Sequence, residues 1–452
     1  MTEYEVPNYI ALAIPFFFVL IFLEILITRL MKRDYYRIAD SINDLSMGSI
    51  QQITGLFVRT TIFASYLLLY DYLYNNFRLV DWGLDGMIES MLSGAPLSGF
   101  STAMVWKLIA ASTVGFLLVD LAYYWFHRTS HEVAVVWGSH EAHHQSEEYN
   151  LTVALRQGFL QFLFSWPFNL PIALVGIHPV IFIIAGQFNT IYQFWIHTRA
   201  IKKLPRFIEW FLNTPSHHRV HHAIDPKYID RNHAGTLIIW DKMFGTFQAE
   251  EEEPHYGTVK PLASWNPIWA QVQYWVNLSR TAYRAPYWVD KFKIWFMRPG
   301  WKPRGMGEMA PIPEIDPATY KKYDPQIPAG LSYYGLLQFV FVILGSLLLL
   351  NKVIEPLSPV GGVIGAWVFF SLMTLGLVLE GGRAGYRLEW FRQGLMIAGA
   401  VAVIMLQPEF LMYGPVAGLV CVACLVWLSR YRPRPDGLSN SSGRGHLPAA
   451  AK

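Results

Sequence analysis

Residues 106–132 read WKLIAASTVGFLLVDLAYYWFHRTSHE, a largely apolar run that leads without interruption into two histidines. Residues 106–126 are long enough to cross a hydrocarbon layer about 30 Å thick as a helix. His127 and His131 follow at a spacing of four, which on a helix places both imidazoles on one face. The stretch therefore predicts a membrane helix that presents two imidazoles to a single point at its end.

The rest of the chain extends this pattern. Of 452 residues, 53% are hydrophobic and only 15% are charged. Apolar runs long enough to span a bilayer indicate an all-α, polytopic membrane protein with about nine hydrophobic segments. The segments lie at residues 9–30, 50–74, 106–126, 159–175, 179–196, 332–350, 359–379, 393–406 and 410–428. The pair within 159–196 is expected to form a hairpin that dips into the membrane without crossing it.

Basic residues predict the orientation of these segments. With the N-terminus outside, the external connections contain only Arg78 and Lys352, whereas the internal ones hold many lysines and arginines. We therefore expect the C-terminus and the histidines to be cytoplasmic, in an endoplasmic reticulum or bacterial inner membrane. The net charge of +3 is too small to indicate a nucleic-acid partner.

The predicted organisation has five parts. Membrane spans occupy 1–105, the histidine-bearing domain 106–250, an interfacial cytoplasmic segment 251–331, further spans 332–430, and a disordered tail 431–452. The third part is rich in tryptophan and lysine, which suits the membrane surface, although a soluble subdomain remains an alternative. Cys421 and Cys424 form a single CxxC, which cannot complete a four-ligand zinc site and indicates packing.

Two further histidine groups follow the first. The pattern HxxHH occurs at His140, His143 and His144 and again at His218, His221 and His222, and His197 is a ninth candidate. Neighbouring residues diverge by about 100° around a helix, so each HH pair suits a position between two metals. His217 is extra to the pattern and is placed outside the ligand set.

The number of imidazoles indicates two metal ions in a cytoplasmic helical cap. One zinc takes about four ligands, so eight or nine imply a dinuclear site. Imidazole suits zinc, copper, iron and nickel alike, so residue type leaves the metal open. A zinc-dependent membrane hydrolase or a metal transporter is the cross-class alternative. Because a transporter should carry its ligands within the spans, the position after a span end favours an enzyme.

Longer runs around these histidines resemble a known family. They are residues 124–132, 149–157, 192–198, 212–222 and 235–247. In them the chain resembles the fatty acid hydroxylase superfamily of membrane di-iron oxygenases, and within it the alkylglycerol monooxygenases. The resemblance identifies 106–250 as the catalytic domain.

The resemblance implies two irons per chain, a membrane lipid substrate, dioxygen, and an electron donor, either tetrahydrobiopterin or a redox protein. It implies hydroxylation beside the ether oxygen of an alkylglycerol, which releases a fatty aldehyde and a glycerol derivative. A sterol or fatty acyl hydroxylase or desaturase is the alternative within the superfamily. Glu132 matches a functionally important acid of the family and is the catalytic candidate. The alternative is that Glu132 is an exposed surface residue without a catalytic role. By box position the ligands are His127, His131, His140, His143, His144, His218, His221 and His222.

Several neighbours of the histidines are expected to support them. Acids usually orient ligand imidazoles, and Glu132, Glu141 and Asp241 are the candidates. His233 is either a partner of a ligand or a tolerated substitution, and Gln193 stands where some superfamily members carry a histidine. Aromatic residues are expected to line a lipid pocket that excludes water: Tyr123, Tyr124, Trp125 and Trp195.

Overall fold

The computed structural model describes residues 6–316, 319–406 and 413–433, and its regular elements are helices. Only two isolated β-bridges occur among these residues, Leu212 with Leu237 and Ala223 with Tyr256. The all-α prediction is confirmed, while most of the predicted tail lies outside the described residues. The α-helices are α1 Tyr9–Leu30, α2 Ile38–Phe77, α3 Asp85–Leu92, α4 Thr102–Glu132, α5 Ala134–His144, α6 Gln161–Leu174, α7 Pro179–Trp195, α8 Arg206–Phe211, α9 Pro215–His221, α10 Ile239–Phe244, α11 Pro267–Arg284, α12 Trp288–Lys293, α13 Ala329–Leu350, α14 Pro359–Leu379, α15 Arg383–Leu406 and α16 Tyr413–Ser429.

Four of the described helices, α1, α4, α13 and α14, are long and apolar enough to cross a membrane. The segments predicted at 159–175 and 179–196 are α6 with 14 residues and α7 with 17, joined through Gly176 at φ 74°. A helix of 14 residues is about 21 Å long, which is shorter than the hydrocarbon layer. The number of crossings and their orientation stay predictions.

Helix α4 packs against α7 because Gly115 lets the two approach closely. A Cβ at Gly115 would lie 2.9 Å from the Cγ2 of Ile181 and 3.1 Å from that of Ile177. Val133, in the extended conformation, then breaks the helix after Glu132, and α5 starts at once. The two histidine-bearing helices α4 and α5 are therefore consecutive, and α7 lies beside them.

The C-terminal helices form a bundle with α2, in which Ile53 packs with Val342 and Leu372. Helix α15 carries an ion pair that is buried against α13, in which Arg392 Nη2 lies 2.6 Å from Glu389 Oε1. Polar groups buried in such a bundle need internal partners, and Gln338 and Tyr334 supply them. The two cysteines are free and buried in α16, as the packing interpretation predicts.

The predicted interfacial segment contains α11 and α12, and its exposed face is aromatic. Trp288 is 74% exposed, Phe292 67% and Phe296 71%. Apolar rings at this exposure are unusual on a water-facing surface, and they lie among Lys291, Lys293 and Arg298.

Candidate metal centre

Nine buried histidines form two groups in which one ring nitrogen of each member lies within 4.8 Å of the others. The first group holds His127, His131, His140, His144 and His221. The second group holds His143, His197, His218 and His222. These are the nine histidines that the sequence analysis singled out, and no other histidine of the described residues joins either group.

The helical turn explains how the two groups interlock. Helix α4 supplies the two histidines of its last turns, and His197 follows the end of α7. The neighbours His143 and His144 on α5 belong to different groups, as do His221 and His222 at the end of α9. Adjacent side chains diverge by about 100°, so one short helix serves two centres at once.

The distances between the inward nitrogens match those between ligands of one metal ion. The Nε2–Nε2 distance is 2.8 Å for His127 and His140, and 3.1 Å for His140 and His144. In the second group, His197 Nε2 lies 3.3 Å from that of His143 and 3.0 Å from that of His218. Metal–nitrogen bonds of about 2.1 Å separate neighbouring ligand atoms by roughly 3.0 to 3.4 Å.

Hydrogen bonding shows why these nitrogens need a cation. The Nδ1 of His143 lies 2.6 Å from the carbonyl of Arg156, and that of His197 lies 2.7 Å from the carbonyl of Gln193. A carbonyl can only accept, so both Nδ1 atoms carry the proton and both Nε2 atoms face each other as lone pairs. The buried Nε2 atoms of His131 and His221 have no partner at all. The donor set therefore fits metal ions that imidazole binds, iron among them.

Backbone carbonyls orient four of these nine imidazoles. Besides His143 and His197, Nδ1 of His127 lies 2.7 Å from the carbonyl of His233, and Nδ1 of His221 lies 3.0 Å from that of Arg231. The interpretation that acids orient the rings is wrong for Glu141 and Asp241. The carboxylate of Glu141 accepts from Gln145 and Gln273, and Asp241 accepts from backbone amides. Asp230, whose Oδ1 lies 3.3 Å from His131 Nδ1, is the acid that sequence reasoning missed.

A four-residue loop, Asp230 to His233, supplies three of these acceptors and is named the acceptor loop below. Asp230 and Asn232 have φ values of 56° and 55°, in the left-handed region that Asp and Asn tolerate best among non-glycine residues. Asp241 accepts from the backbone N–H of His233 at 2.7 Å and from that of Ala234 at 2.8 Å. Asp241 therefore acts on the first group through the backbone of this loop.

Arg156 supports the second group in the same indirect way. Its carbonyl accepts from His143, while its guanidinium donates to the carbonyl of Ala142 at 2.5 Å and to the carboxylate of Asp44 at 3.2 Å. Arg156 and Asp44 are both fully buried, so this ion pair ties α2 to the histidine cap.

Replacing Asp44 by alanine is expected to destabilise the protein by about 3 kcal/mol, because it leaves the buried guanidinium of Arg156 unpaired. The measurement is denaturant unfolding of the detergent-solubilised protein. Asp71→Ala, which removes an exposed carboxylate from the same helix, is the matched control and should change stability by less than about 0.5 kcal/mol. Equal losses for the two variants would contradict this role of the ion pair.

Burial favours the neutral form of the ligand imidazoles. It lowers the pKa of His143 to about 4 and puts the pKa of His218 and His222 well below the usual value. Metal binding requires neutral imidazole, so burial prepares these side chains for it. Burial also raises the pKa of Glu141 to about 7, against the hydrogen bonds from Gln145 and Gln273.

The remaining candidates lie around the two groups. Glu132 is 34% exposed at the end of α4, where it pairs with Arg128 at 3.1 Å and with Arg298 at 4.0 Å. His217 packs on Phe247, outside both groups. His233 is buried with its ring centroid 5.0 Å from that of His131, and its Nδ1 has no partner.

An apolar groove of about 870 Å³ lies between the start of α1, α3, α4 and α7. Its walls include Leu108, Phe116, Ala185 and Tyr192. The four aromatic residues proposed from sequence do not line it. Tyr124, for example, is buried and bonded to Thr246, and Trp125 packs on Phe244.

Comparison with known proteins agrees with this geometry. Residues 112–246, which contain all nine histidines, match the family model described as fatty acid hydroxylase. The alkylglycerol monooxygenase of Danio rerio is 34% identical over 98% of this chain and 93% of its own length. The chain belongs to the alkylglycerol monooxygenase family. The enzyme of Xenopus tropicalis is 41% identical over 75% of this chain and 70% of its own length. That of Homo sapiens is 40% identical over 69% of this chain and 64% of its own length.

Membership of the alkylglycerol monooxygenase family confirms the resemblance seen in the sequence and makes the chain an oxygen-dependent oxidoreductase of the fatty acid hydroxylase superfamily. It favours the oxygenase over the zinc hydrolase or transporter. No solved structure matches the chain.

Proposed function

We propose that this chain is a di-iron monooxygenase that hydroxylates the carbon beside the ether oxygen of an alkylglycerol lipid. The observation that carries the proposal is the division of nine buried histidines into groups of five and four, in a chain with relatives named for this reaction. One iron would be held by each group. Zinc has no redox chemistry, whereas insertion of oxygen into a C–H bond requires it.

The overall reaction balances with one external reductant. The C–H bond beside the ether oxygen becomes C–OH, the second oxygen atom leaves as water, and a donor supplies two electrons and two protons. Bound iron supplies the dioxygen activation that amino-acid side chains cannot provide. The resulting hemiacetal loses its hydroxyl proton, breaks its C–O bond and yields a fatty aldehyde and the free glycerol hydroxyl.

The chain's own residues hold and shield the reacting region. Backbone carbonyls fix the tautomers of four ligand imidazoles, so their Nε2 lone pairs face inward. The ring of Trp137 lies 4.9 Å from that of His131, and the ring of Tyr149 lies 5.2 Å from that of His222. Tyr149 is buried and Trp137 partly so, and these aromatic contacts help to exclude water, which protects a reactive site from side reactions.

The apolar groove supports a substrate with a long chain. It runs between α4 and α7, the two helices that lead to His127 and His197, and its lining is almost entirely hydrocarbon. Each buried CH₂ group contributes about 0.8 kcal/mol, so such a groove favours long alkyl chains.

The direct test is incubation of the iron-loaded enzyme with a 1-O-alkylglycerol, reduced pterin and ¹⁸O₂. Release of a fatty aldehyde in amounts that match oxygen consumed is the expected result, and it should stop when dioxygen is removed. Activity on a sterol or fatty acyl lipid with none on the ether lipid would overturn the substrate assignment and keep the oxygenase.

Glu132 is proposed to bind the reduced donor at the edge of the cap. It follows His131 directly, it is partly exposed, and a carboxylate matches the paired N–H groups of a reduced pterin. Glu132→Gln is expected to raise the KM for the pterin by roughly 10-fold or more, the value of a charge-assisted hydrogen bond, with unchanged iron content. Glu251→Gln, an exposed acid elsewhere on the cap, is the control. Loss of iron in Glu132→Gln would instead indicate a structural role.

The orientation belongs to the same proposal. We place the N-terminus outside and the metal centre and C-terminus in the cytoplasm, in an endoplasmic reticulum or bacterial inner membrane. The five-part division of the chain at residues 105, 250, 331 and 430 is kept with it. A reporter fused at the N-terminus should lie on the side of the membrane opposite the cap. A reporter fused after residue 433 should lie on the same side as the cap.

A further inference from the structure

One exposed apolar surface lies outside the predicted interfacial segment. It consists of Phe207, Trp210 and Phe211 on α8 and Met243 and Phe244 on α10, and is called the aromatic face below. Phe207 is 76% exposed, Trp210 66% and Met243 66%. Side chains of this size are rarely exposed together on a water-facing surface, and a contiguous patch marks a contact with a partner or a membrane.

The two helices of the aromatic face form one rigid unit. The ammonium of Lys242 on α10 donates to the carbonyl of Glu209 at 3.1 Å and to that of Trp210 at 2.8 Å, both on α8. A β-bridge joins Leu212 to Leu237 in the connections that follow α8 and precede α10. The five side chains are therefore held in fixed positions relative to one another.

Contacts with α4 place this unit beside a candidate membrane span. Trp240 on α10 donates its indole N–H to Asp120 at 2.8 Å, and Asp120 lies seven residues, about 10 Å along the helix, before His127. Phe244 packs on Trp125 of the same helix with ring centroids 4.9 Å apart. Because α4 is one of the four helices fit to cross a membrane, α10 lies next to the end of the apolar run.

Charge and residue type identify the occupant. Exposed Lys202 and Arg206 flank the aromatic face at the start of α8, whereas the ammonium of Lys203 donates to the carbonyl of Glu250 at 2.7 Å. Tryptophan and phenylalanine above a basic border suit the boundary between hydrocarbon and headgroups, where lysine and arginine reach phosphate. Because the aromatic face also adjoins the candidate membrane span α4, these features favour the bilayer over a protein partner as its occupant.

We propose that the aromatic face inserts into the headgroup–acyl boundary of the bilayer that α4 spans, and thereby sets the depth of the metal centre. The unit is close in sequence to both histidine groups, because α8 ends seven residues before His218 and α10 follows the acceptor loop. The proposal deepens the proposed function, on which it rests for its purpose, since the carbon beside the ether oxygen of a glycerol lipid lies at this boundary.

The test is site-directed spin labelling of the full-length protein in phosphatidylcholine nanodiscs with 20% phosphatidylglycerol. Phe207→Cys and Met243→Cys carry the label in a Cys421→Ala, Cys424→Ala background that retains wild-type iron content. Glu251→Cys, on the exposed acidic turn of the same cap, is the matched control. Collisions with dioxygen, which partitions into lipid, and with a water-soluble nickel chelate are measured by power saturation.

Greater collision with dioxygen than with nickel at residues 207 and 243, and the reverse at 251, is the expected result. The labels should lie within about 10 Å of the phosphate level. Nickel accessibility at 207 equal to that at 251 would show a water-facing surface and overturn the proposal. Low accessibility to both reagents would show that a second copy or another protein covers the face, which also overturns it. No substrate is used, so failure of the ether-lipid assignment would leave this result unaffected.

Discussion

His144→Ala and His143→Ala should each lower turnover by at least about 100-fold, and each variant should lose a different iron. The two residues are neighbours on α5, but His144 belongs to the group of five and His143 to the group of four. A lost ligand costs more than a lost hydrogen-bond partner of a ligand, which typically costs 10–100-fold in affinity or activity. Iron content should fall from about two per chain towards one, with different Mössbauer parameters for the iron that remains.

His217→Ala is the control for these variants. His217 is buried beside His218 and packs on Phe247, but it lies outside both groups. Its replacement should leave the iron content unchanged and turnover within about threefold, at the cost of some stability. Iron loss in His217→Ala equal to that in His144→Ala would contradict the assignment of ligands. Identical Mössbauer spectra for the two α5 variants would contradict the division into groups.

Asp241→Ala is expected to weaken iron binding in the first group by 10- to 100-fold, although Asp241 contacts no imidazole of that group directly. Its carboxylate holds the backbone of the acceptor loop at His233 and Ala234, and it accepts from Thr246 at 2.6 Å. Without it, the strained loop loses the support for carbonyls that orient His127 and His221, and ligand orientation sets affinity. Competition with a ferrous chelator under anaerobic conditions measures the effect.

Asp225→Ala is the matched control for the acceptor loop. Asp225 also accepts from a backbone amide and a histidine in the cap, those of His255, but it has no bond to the loop. It should leave the affinity of both irons unchanged. An equal loss of affinity in both variants would indicate general loosening of the cap, and no loss in Asp241→Ala would show that the loop holds its shape alone.

The ligand set was readable from sequence because spacing on a helix is geometry. His127 and His131 share a face at a spacing of four, and the HH pairs diverge by about 100°. The structure gathers these residues and His197 as that geometry predicts, and it divides each HH pair between the groups. The long apolar runs were readable for the same reason, since a span needs only length and hydrophobicity.

The support around the ligands was not readable, because most of it is backbone. The carbonyls of Arg156, Gln193, Arg231 and His233 leave no signature in residue type. Acids near the histidines in sequence were expected to orient them, yet among the described residues the acid that reaches the ring of a candidate ligand is Asp230, 99 positions from His131. Only tertiary packing brings that loop to the ring.

The aromatic face was missed for a different reason. Phe207, Trp210 and Phe211 read equally well as core residues of a soluble cap, since periodicity in a six-residue helix cannot distinguish burial from exposure. Their exposure follows from the way α8 and α10 are joined, since the ammonium of Lys242 donates hydrogen bonds to two backbone carbonyls of α8.

The most direct test of the central claim is metal analysis of the full-length protein, purified without oxygen, combined with Mössbauer spectroscopy of the ⁵⁷Fe-loaded chain. The division of nine histidines into five and four predicts about two irons per chain with two distinct ferrous signals. One iron per chain at saturation would contradict it. Two tightly held zinc ions that ferrous iron cannot replace would contradict the oxygenase as well.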